Sequence, residues 1–234
     1  MKTLKRLLTA ALVFTCFASH AQTVDEIVAK NTTAMGGADK IKTLTSAKKS
    51  GNITTPNGDF PLTMTILNAK GFRLDMEIMG TSNYQIVTPE KGSTFFPIQG
   101  NTEPQEFDAY KLQNAQGPLD LQGALFDYKA KGSTLEYIAT EKLDGSSAYK
   151  LKLTKKSGVI VFYFIDSKTN FVVKTSSKVK GPDGNEVEVD NGYSDYKQNK
   201  DGYWFAYTND SPNGKIVFDS IETNVKVDEN IYKN

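Results

Sequence analysis

The side chains best suited to acid–base chemistry or metal binding are four closely spaced carboxylates, Asp183, Glu186, Glu188 and Asp190. They lack the order of a calcium-binding loop, in which oxygen ligands alternate ahead of a glycine. Three of them alternate instead with valines, as on the exposed face of a β-strand. We therefore predict a solvated strand face that pairs with lysines of the preceding strand. The expected partners are Lys174, Lys178 and Lys180.

The single histidine, His20, and the single cysteine, Cys16, both lie near the amino terminus. They fall in a segment with the three parts of a secretory signal peptide: basic residues among the first six, an uncharged apolar run over 7–18, and small residues at a cleavage site. We expect cleavage after Ala21, so that residues 1–21 form the signal peptide. The apolar run is shorter than the roughly 20 residues of a bilayer-spanning helix, and we predict no transmembrane helix.

Cys16 allows a second interpretation, a lipoprotein signal that would acylate this cysteine. Such a signal needs small residues just before the cysteine, whereas Val13 and Phe14 are bulky. We therefore predict a soluble periplasmic protein, with residues 22–234 as a single domain. That mature chain would contain no histidine and no cysteine, which excludes serine–histidine and cysteine–histidine nucleophiles and zinc sites built on these residues.

Charge and composition narrow the function further. Cleavage would leave 25 basic against 27 acidic residues, a net charge of −2, and Arg73 would be the only arginine. A basic surface for nucleic acid and an arginine cluster for phosphate are therefore absent. The glycine-rich patterns of phosphate-binding loops do not occur either. The sequence predicts no cofactor, no bound metal and no nucleic-acid partner.

The apolar pattern predicts one helix followed by a large sheet. Residues 24–35 have helical spacing and are followed by Gly36–Gly37, as at a helix end. From Leu44 onward the period is two, and Asn-Gly or Asp-Gly pairs recur between the alternating runs, which predicts ten or more antiparallel strands. A sheet of that size has to curl. The strand at 159–165 is apolar on both faces, so we expect the amino-terminal helix to cover its outer side.

The alternation is interrupted at 102–130, where Gly117–Pro118 separates two short apolar segments. Proline suits the first turn of a helix, so we predict short amphipathic helices that cover the apolar face as a lid or plug. Few polar contacts are expected to hold this lid. The predicted lid residues are Phe107, Tyr110, Leu119, Leu125 and Phe126. The predicted fold class is mainly β: a large curled antiparallel sheet, or unclosed β-barrel, with an amino-terminal helix and short lid or plug helices.

Several segments together resemble a known family. They are residues 23–30 with 35–37, the strand 72–77, the hairpin 141–153, residues 163–166 and the carboxyl-terminal 221–231. In this order they are similar to periplasmic lipoprotein carriers of the LolA type and their outer-membrane lipoprotein-sorting (LolA/LolB-like) relatives. The resemblance implies an unclosed barrel with a lidded hydrophobic cavity, in which Phe72 takes the place of a cavity-facing aromatic residue. It also implies transfer of acylated lipoproteins from an inner-membrane transporter to an outer-membrane receptor.

The chain departs from those carriers in two places. An arginine that precedes the cavity aromatic, and is thought to hold the lid, is replaced within residues 68–71. The glycine–tryptophan pair of the next hairpin is replaced within residues 93–96. Arg73 follows Phe72 directly and is expected to face the opposite side of the sheet.

From these observations we predict a non-enzymatic, monomeric carrier that binds an acylated lipoprotein or lipid. Acyl chains would be held by burial, at about 0.8 kcal/mol per CH₂. The predicted cavity lining is Phe60, Leu62, Met64, Phe72, Leu74, Met76, Ile78, Leu151, Leu153 and Phe205. Three other interpretations stay open at this point: an envelope structural or interaction protein with a filled barrel, a binder of another hydrophobic ligand, and a hydrolase acting through paired carboxylates.

Overall fold

The structure, a computed structural model, describes residues 24–181 and 183–233. The predicted signal peptide, its cleavage site and Cys16 lie outside the described residues. Residues 24–34 form helix α1. Gly36 and Gly37, with φ of 107° and 88°, then turn the chain into the short helix α2 (Ala38–Lys42). Such φ values are readily adopted only by residues without a Cβ, which explains the glycine pair at this helix end.

Thirteen strands of the described chain form one antiparallel sheet, which confirms the predicted mainly-β fold. Their order across the sheet is β6-β5-β4-β3-β2-β1-β13-β12-β11-β10-β9-β8-β7, and the sheet is not closed into a barrel. The strands are β1 (Ser46–Thr55), β2 (Gly58–Leu67), β3 (Gly71–Ile78), β4 (Thr81–Val87), β5 (Gly92–Phe95), β6 (Gln105–Glu106), β7 (Thr134–Leu143), β8 (Ser146–Thr154), β9 (Ile160–Asp166), β10 (Val172–Lys180), β11 (Glu186–Gln198), β12 (Trp204–Ser211) and β13 (Gly214–Thr223).

The order of the strands divides the sheet into two wings. Strands β1 to β6 follow one another outward from the middle, and β7 to β13 follow one another inward from the opposite edge. The β1–β13 pairing joins the two wings. Consecutive strands β6 and β7 lie at opposite edges, so residues 107–133, called the insert here, have to cross from one edge of the sheet to the other. The register of β7 on β8 shifts between Tyr137 and Ala139, leaving Ile138 in a bulge.

The β1–β13 junction is a close contact between two backbones. Its register runs from Ala47 opposite Thr223 to Thr54 opposite Lys215, with a shift between Ser50 and Gly51. At the shift the backbones approach so closely that a Cβ on Gly51 would lie 2.1 Å from the Val217 carbonyl oxygen. Only glycine fits that position without moving a strand.

Strand pairing follows one face of the sheet continuously across both wings, and we call it the inner face. Met64 lies opposite Lys49, Lys49 opposite Ile221, and on the other wing Tyr163 lies opposite Leu151. All three apolar clusters of the molecule lie on this face. The alternation at 72–79 and at 149–153 therefore identified the inner side of these two strands correctly.

Helix α1 packs on the inner face, so the prediction that it covers the outer side of the 159–165 strand is wrong. Ile27 and Val28 pack with Leu151, Leu153 and Ile165, all on the inner face. The outer rings of that strand are covered by lysines of its neighbours. The Nζ of Lys150 lies 5.4 Å from the ring centroid of Phe162 and 5.2 Å from that of Phe164, and Lys174 lies 5.3 Å from Phe164. Long lysine stems cover apolar surface while the ammonium stays over a ring face.

The carboxyl-terminal segment packs on the outer face of β2 and β3. A 3₁₀ turn (Glu229–Tyr232) brings the Tyr232 ring against Gly71, and Tyr232 Oη donates to the Thr65 carbonyl at 3.4 Å. Arg73 Nη1 donates to the Ile231 carbonyl at 3.0 Å, and its Nε donates to Asp75 at 2.8 Å. Arg73 therefore faces away from Phe72, as the sequence predicted.

The junction between the wings can be tested by adding one methyl group. We expect Gly51→Ala to lower the free energy of unfolding by about 3 kcal/mol, because the new Cβ meets backbone atoms that have no room to move. Gly192→Ala is the matched control, since Gly192 also lies inside a strand and its Cβ would stand 3.5 Å from the nearest atom. Urea unfolding followed by circular dichroism measures both variants. Equal stability of the two would show that the junction tolerates a wider spacing.

Candidate functional site

The candidate site is the inner face on both sides of the β1–β13 junction. Strands β2 and β3 contribute from one wing and strand β12 from the other. Six of the ten predicted cavity residues lie here in one cluster: Phe60, Leu62, Met64, Leu74, Met76 and Phe205. The sheet order explains this convergence, because β1 and β13 bring the two ends of the chain together in space. The cluster also contains Leu44, Ile53, Tyr203, Tyr207, Phe218 and Ile221.

The predicted cavity aromatic, Phe72, lies in an adjoining cluster with Ile66, Val87 and Leu119. The two clusters are continuous, because Met64 and Leu74 pack against both. Leu121 of the insert also packs against both, so the insert lies over the boundary between them. The structure therefore joins seven of the ten predicted cavity residues and the insert into one surface near the middle of the sheet.

The remaining three predicted cavity residues lie elsewhere. Leu151 and Leu153 are fully buried beneath α1 and the insert, where Leu125 and Tyr128 pack against them. Protein side chains already fill that part of the inner face. Ile78 belongs to none of the three clusters; it ends β3 next to Met79, which is 81% exposed at a hairpin tip.

The inner face is covered unevenly, and the wing beneath α1 also keeps partly exposed side chains such as Tyr149 and Tyr163. Phe60, Met64, Leu74 and Met76 are partly exposed, whereas Leu151 and Leu153 on the other wing are completely buried. Methionine side chains are flexible and polarizable, so they adapt to apolar groups of different shapes. The part of the face that could accept an apolar ligand is therefore the part formed by β2 and β3.

The five predicted lid residues lie in three different environments. Phe107 and Leu119 pack in the cluster of Phe72. Leu125 and Phe126 are buried, Leu125 in the cluster beneath α1. Tyr110 is 37% exposed, and its hydroxyl accepts a hydrogen bond from the Lys180 backbone N–H at 2.7 Å.

Polar contacts also hold the insert, contrary to the expectation that few would be available. Asn68 Oδ1 accepts from the Leu121 N–H at 3.0 Å, and the Leu119 carbonyl accepts from the Ala69 N–H at 2.8 Å. Gln116 Nε2 donates to the Pro89 carbonyl at 2.8 Å, and Gln122 Nε2 donates to the Leu44 carbonyl at 3.3 Å. These amides bind backbone groups far away along the chain, and a sequence does not show which carbonyl an amide will reach.

Besides the further apolar and aromatic members of the cluster, sequence reasoning missed a charged residue of the site, Lys49. It lies on the inner face, directly between Met64 of β2 and Ile221 of β13. Its Nζ stands 4.9 Å from the ring centroid of Phe205 and 5.6 Å from that of Phe218, both of which are buried. The available signal was the alternation itself, because β1 places Ala47, Gly51 and Ile53 on the same face as this lysine.

The ammonium of Lys49 has no anionic partner in the described part of the chain, where no carboxylate lies within 4.0 Å of it and no hydrogen bond reaches it. The side chain is half-buried, and loss of hydration without such a partner lowers its pKa to about 8. Two other lysines lie over neighbouring rings, Lys40 over Tyr203 and Lys197 over Tyr207, but both have a partner. Lys40 donates to the Asp201 carbonyl at 2.6 Å, and Lys197 pairs with Asp195 at 3.0 Å.

The carboxylates that opened the sequence analysis lie away from this site, and the predicted pairing with the preceding strand is confirmed for Lys174 and Lys178, whereas the Nζ of Lys180 lies over the ring of Tyr110. Lys174 pairs with Asp190 at 2.6 Å and Lys178 with Glu186 at 3.4 Å, while Ser176 Oγ donates to Glu188 at 2.6 Å. Within residues 24–181 and 183–233, no group of three or more acidic residues is arranged to hold a metal ion.

A groove of about 700 Å³ on the sheet is too charged to serve as an acyl-chain site. It is lined by Asp166, Lys174, Asp190, Asp210 and Lys215, among others. Acyl chains gain free energy only where they leave water for apolar surroundings. In the described part of the chain, no helix has the length and apolar composition needed to cross a bilayer.

Comparison with solved structures identifies the fold, whereas no protein-family model and no curated protein sequence matches this chain. A domain described as an outer membrane lipoprotein-sorting protein, from Vibrio parahaemolyticus, is 12% identical with a TM-score of 0.53, covering 89% of this chain and 95% of that chain. A LolA superfamily protein from Nitrosomonas europaea is 11% identical with a TM-score of 0.54, covering 92% of this chain and 98% of that chain. The chain therefore has a LolA-like fold, as the resemblance of its sequence segments implied.

The unpaired charge of Lys49 should lower stability at neutral pH. We expect Lys49→Met to raise the free energy of unfolding there by about 2 kcal/mol, because an apolar side chain of similar length removes a half-buried, unpaired charge. The folded pKa of about 8 lies below the ordinary 10.5, so the unfolded chain binds more protons between these values. Stability of the wild type should therefore rise with pH through this window, and its difference from the variant should shrink.

Lys48→Met is the matched control for this comparison. Lys48 is the preceding residue of β1, is exposed, and faces the other side of the sheet. It should change stability by no more than about 0.5 kcal/mol at any pH. Urea unfolding at neutral pH and at about pH 10 measures all three proteins. Parallel pH profiles for the wild type and Lys49→Met would show that the ammonium is not desolvated in solution.

Proposed function

We propose that this protein is a non-enzymatic carrier that holds the acyl chains of a lipid or lipoprotein against the inner face of its sheet. The observation that carries the proposal is the partly exposed apolar surface formed by Phe60, Met64, Leu74 and Met76 beneath the insert. A monomer that only filled its own core would bury such positions, as it does for Leu151 and Leu153. Exposed contiguous apolar surface commonly marks a binding site.

The energetics suit reversible binding. Each methylene group that leaves water is worth about 0.8 kcal/mol, so a few acyl chains give strong binding with no specific contact. Binding of that kind depends on the buried apolar area and not on the orientation of specific contacts. A receptor with a larger apolar surface can therefore accept the acyl chains from this protein. The flexible side chains of Met64 and Met76 allow the same surface to accept chains of different length or branching.

The insert supplies the means of entry. It covers the boundary between the two apolar clusters through Leu119 and Leu121, and the polar contacts that hold it there are single hydrogen bonds that can break one at a time. Segments held by a small number of buried contacts open locally well below the free energy of global unfolding. Opening of the insert would uncover Phe72 and Leu74 without disturbing the sheet.

The fold supports the same proposal and extends it to location and partners. The solved structures of this fold include a protein described as lipoprotein-sorting. By that analogy we place the protein in the periplasm after removal of residues 1–21, with an inner-membrane transporter as donor and an outer-membrane receptor as acceptor. An envelope structural protein is the second candidate, because α1 and the insert already fill the inner face above β8.

Binding of a fluorescent fatty acid separates these two candidates. We expect the wild-type protein to bind the probe. Leu74→Glu should weaken binding at least about tenfold, because it places a charge where the acyl chain of the probe would lie. Val217→Glu is the control. Val217 is already 40% exposed and, as the residue before Phe218 in β13, it lies on the outer face of the sheet. Circular dichroism verifies that both variants fold. Equal binding by Leu74→Glu and Val217→Glu would favour the structural protein.

Hydrogen exchange tests whether the insert opens. We expect amides of residues 107–126 to exchange faster than those of 151–164, because the insert has fewer buried contacts than the paired strands β8 and β9. Addition of the fatty acid should slow exchange in the insert and leave the strands unchanged. An insert as protected as the strands, and indifferent to the fatty acid, would contradict the carrier mechanism.

A further inference from the structure

Lys49 is the one charged side chain that β1 places on the inner face, and it lies in the middle of the surface proposed to bind acyl chains. Met64 stands beside it on β2 and Ile221 beside it on β13. The rings of Phe205 and Phe218 approach its Nζ to 4.9 and 5.6 Å. An ammonium surrounded by apolar side chains loses hydration that these rings replace only in part.

The groups around Lys49 leave its charge unbalanced. Its neighbours across β2 and β13 are apolar, and beyond β13 the side chains of Tyr203, Phe205 and Tyr207 belong to the same apolar cluster. Lys197 of β11 lies opposite Phe205 and adds a second positive charge, but Asp195 neutralises it at 3.0 Å. Of the three lysines over Tyr203, Phe205 and Tyr207, Lys49 alone lacks an oxygen partner among the described residues.

Ligand sites in proteins combine a mostly apolar lining with a few polar groups that fix the orientation of the ligand. An unpaired ammonium in such a lining is complementary to an anion that carries an apolar chain. The anion would replace the missing partner by a charge-assisted hydrogen bond, and the chain would cover Met64 and Leu74.

We propose that Lys49 binds the anionic head group, a carboxylate or a phosphate, of the amphiphile whose acyl chain occupies the inner face. This inference rests on the proposed function and adds the chemical class of the ligand and the residue that selects it. Because Lys49 lies on β1, where the two wings meet, the head group would lie at the β1–β13 junction. The acyl chain then extends along β2 and β3 towards Phe60 and Met76.

Three amphiphiles with the same chain test the proposal: dodecanoate, dodecyl phosphate and dodecyltrimethylammonium, each titrated into the purified protein by calorimetry. We expect at least one of the two anions to bind at least about tenfold more tightly than the cation. A hydrogen bond to a charged group supplies a preference of that size. The two anions distinguish a fatty-acid source from a phospholipid source.

Two variants assign the preference to one side chain. Lys49→Met should bring the affinities of anions and cation close together, chiefly by weakening the anions, whereas Lys49→Arg should keep the preference. Lys48→Met, on the exposed outer face of the same strand, should bind as the wild type does. Circular dichroism verifies that each variant is folded.

The outcomes separate this inference from the function on which it rests. If none of the amphiphiles binds, the carrier function fails and the inference fails with it. If anions and cation bind equally to the wild type, acyl binding stands and the head-group site is overturned. A preference for anions that survives in Lys49→Met overturns the assignment to Lys49.

Discussion

The pairing of β1 with β13 is the constraint on which the rest of the structure depends. It joins residues about 170 positions apart, since Ala47 lies opposite Thr223, and every other strand of the sheet is placed outward from it. Because the chain leaves this junction in both directions, β6 and β7 end at opposite edges and the insert has to cross the inner face. The cover over the apolar surface is thus a consequence of strand order. So is the site beneath it, which takes side chains from both wings.

Sequence patterns between neighbouring residues predicted the strands and the sides that face the core. They did not predict which elements cover each face of the sheet. Alternation and Asn-Gly or Asp-Gly turns report on neighbouring residues, and the pairing of Lys174 with Asp190 followed from them. The strand at 159–165 shows where such rules end. Its two apolar faces required two covers, but sequence alone could not decide that α1 takes the inner one and the stems of Lys150 and Lys174 the outer one.

For the same reason, only some of the predicted cavity residues lie in the candidate site. Every residue assigned to it was apolar and placed by alternation, which predicts the face of a strand but not how much of that face another element covers. Leu153 and Leu74 have equivalent patterns in sequence, yet only Leu74 remains partly exposed, because α1 lies over one wing. Lys49 was missed for the converse reason. The alternation of β1 places it on the face of Ala47 and Ile53, but a lysine in an alternating strand is normally exposed, and the residue type outweighed the pattern.

The bulge in β7 affects how the molecule behaves at high concentration. Strand β7 is ten residues long and lies at the edge of the sheet, where unpaired backbone groups invite a strand from a second molecule. The shift between Tyr137 and Ala139 turns Ile138 outward, 44% exposed, and interrupts the regular spacing that an incoming strand needs. The irregularity therefore protects an open sheet against edge-to-edge aggregation, a hazard that closed barrels avoid by having no edge.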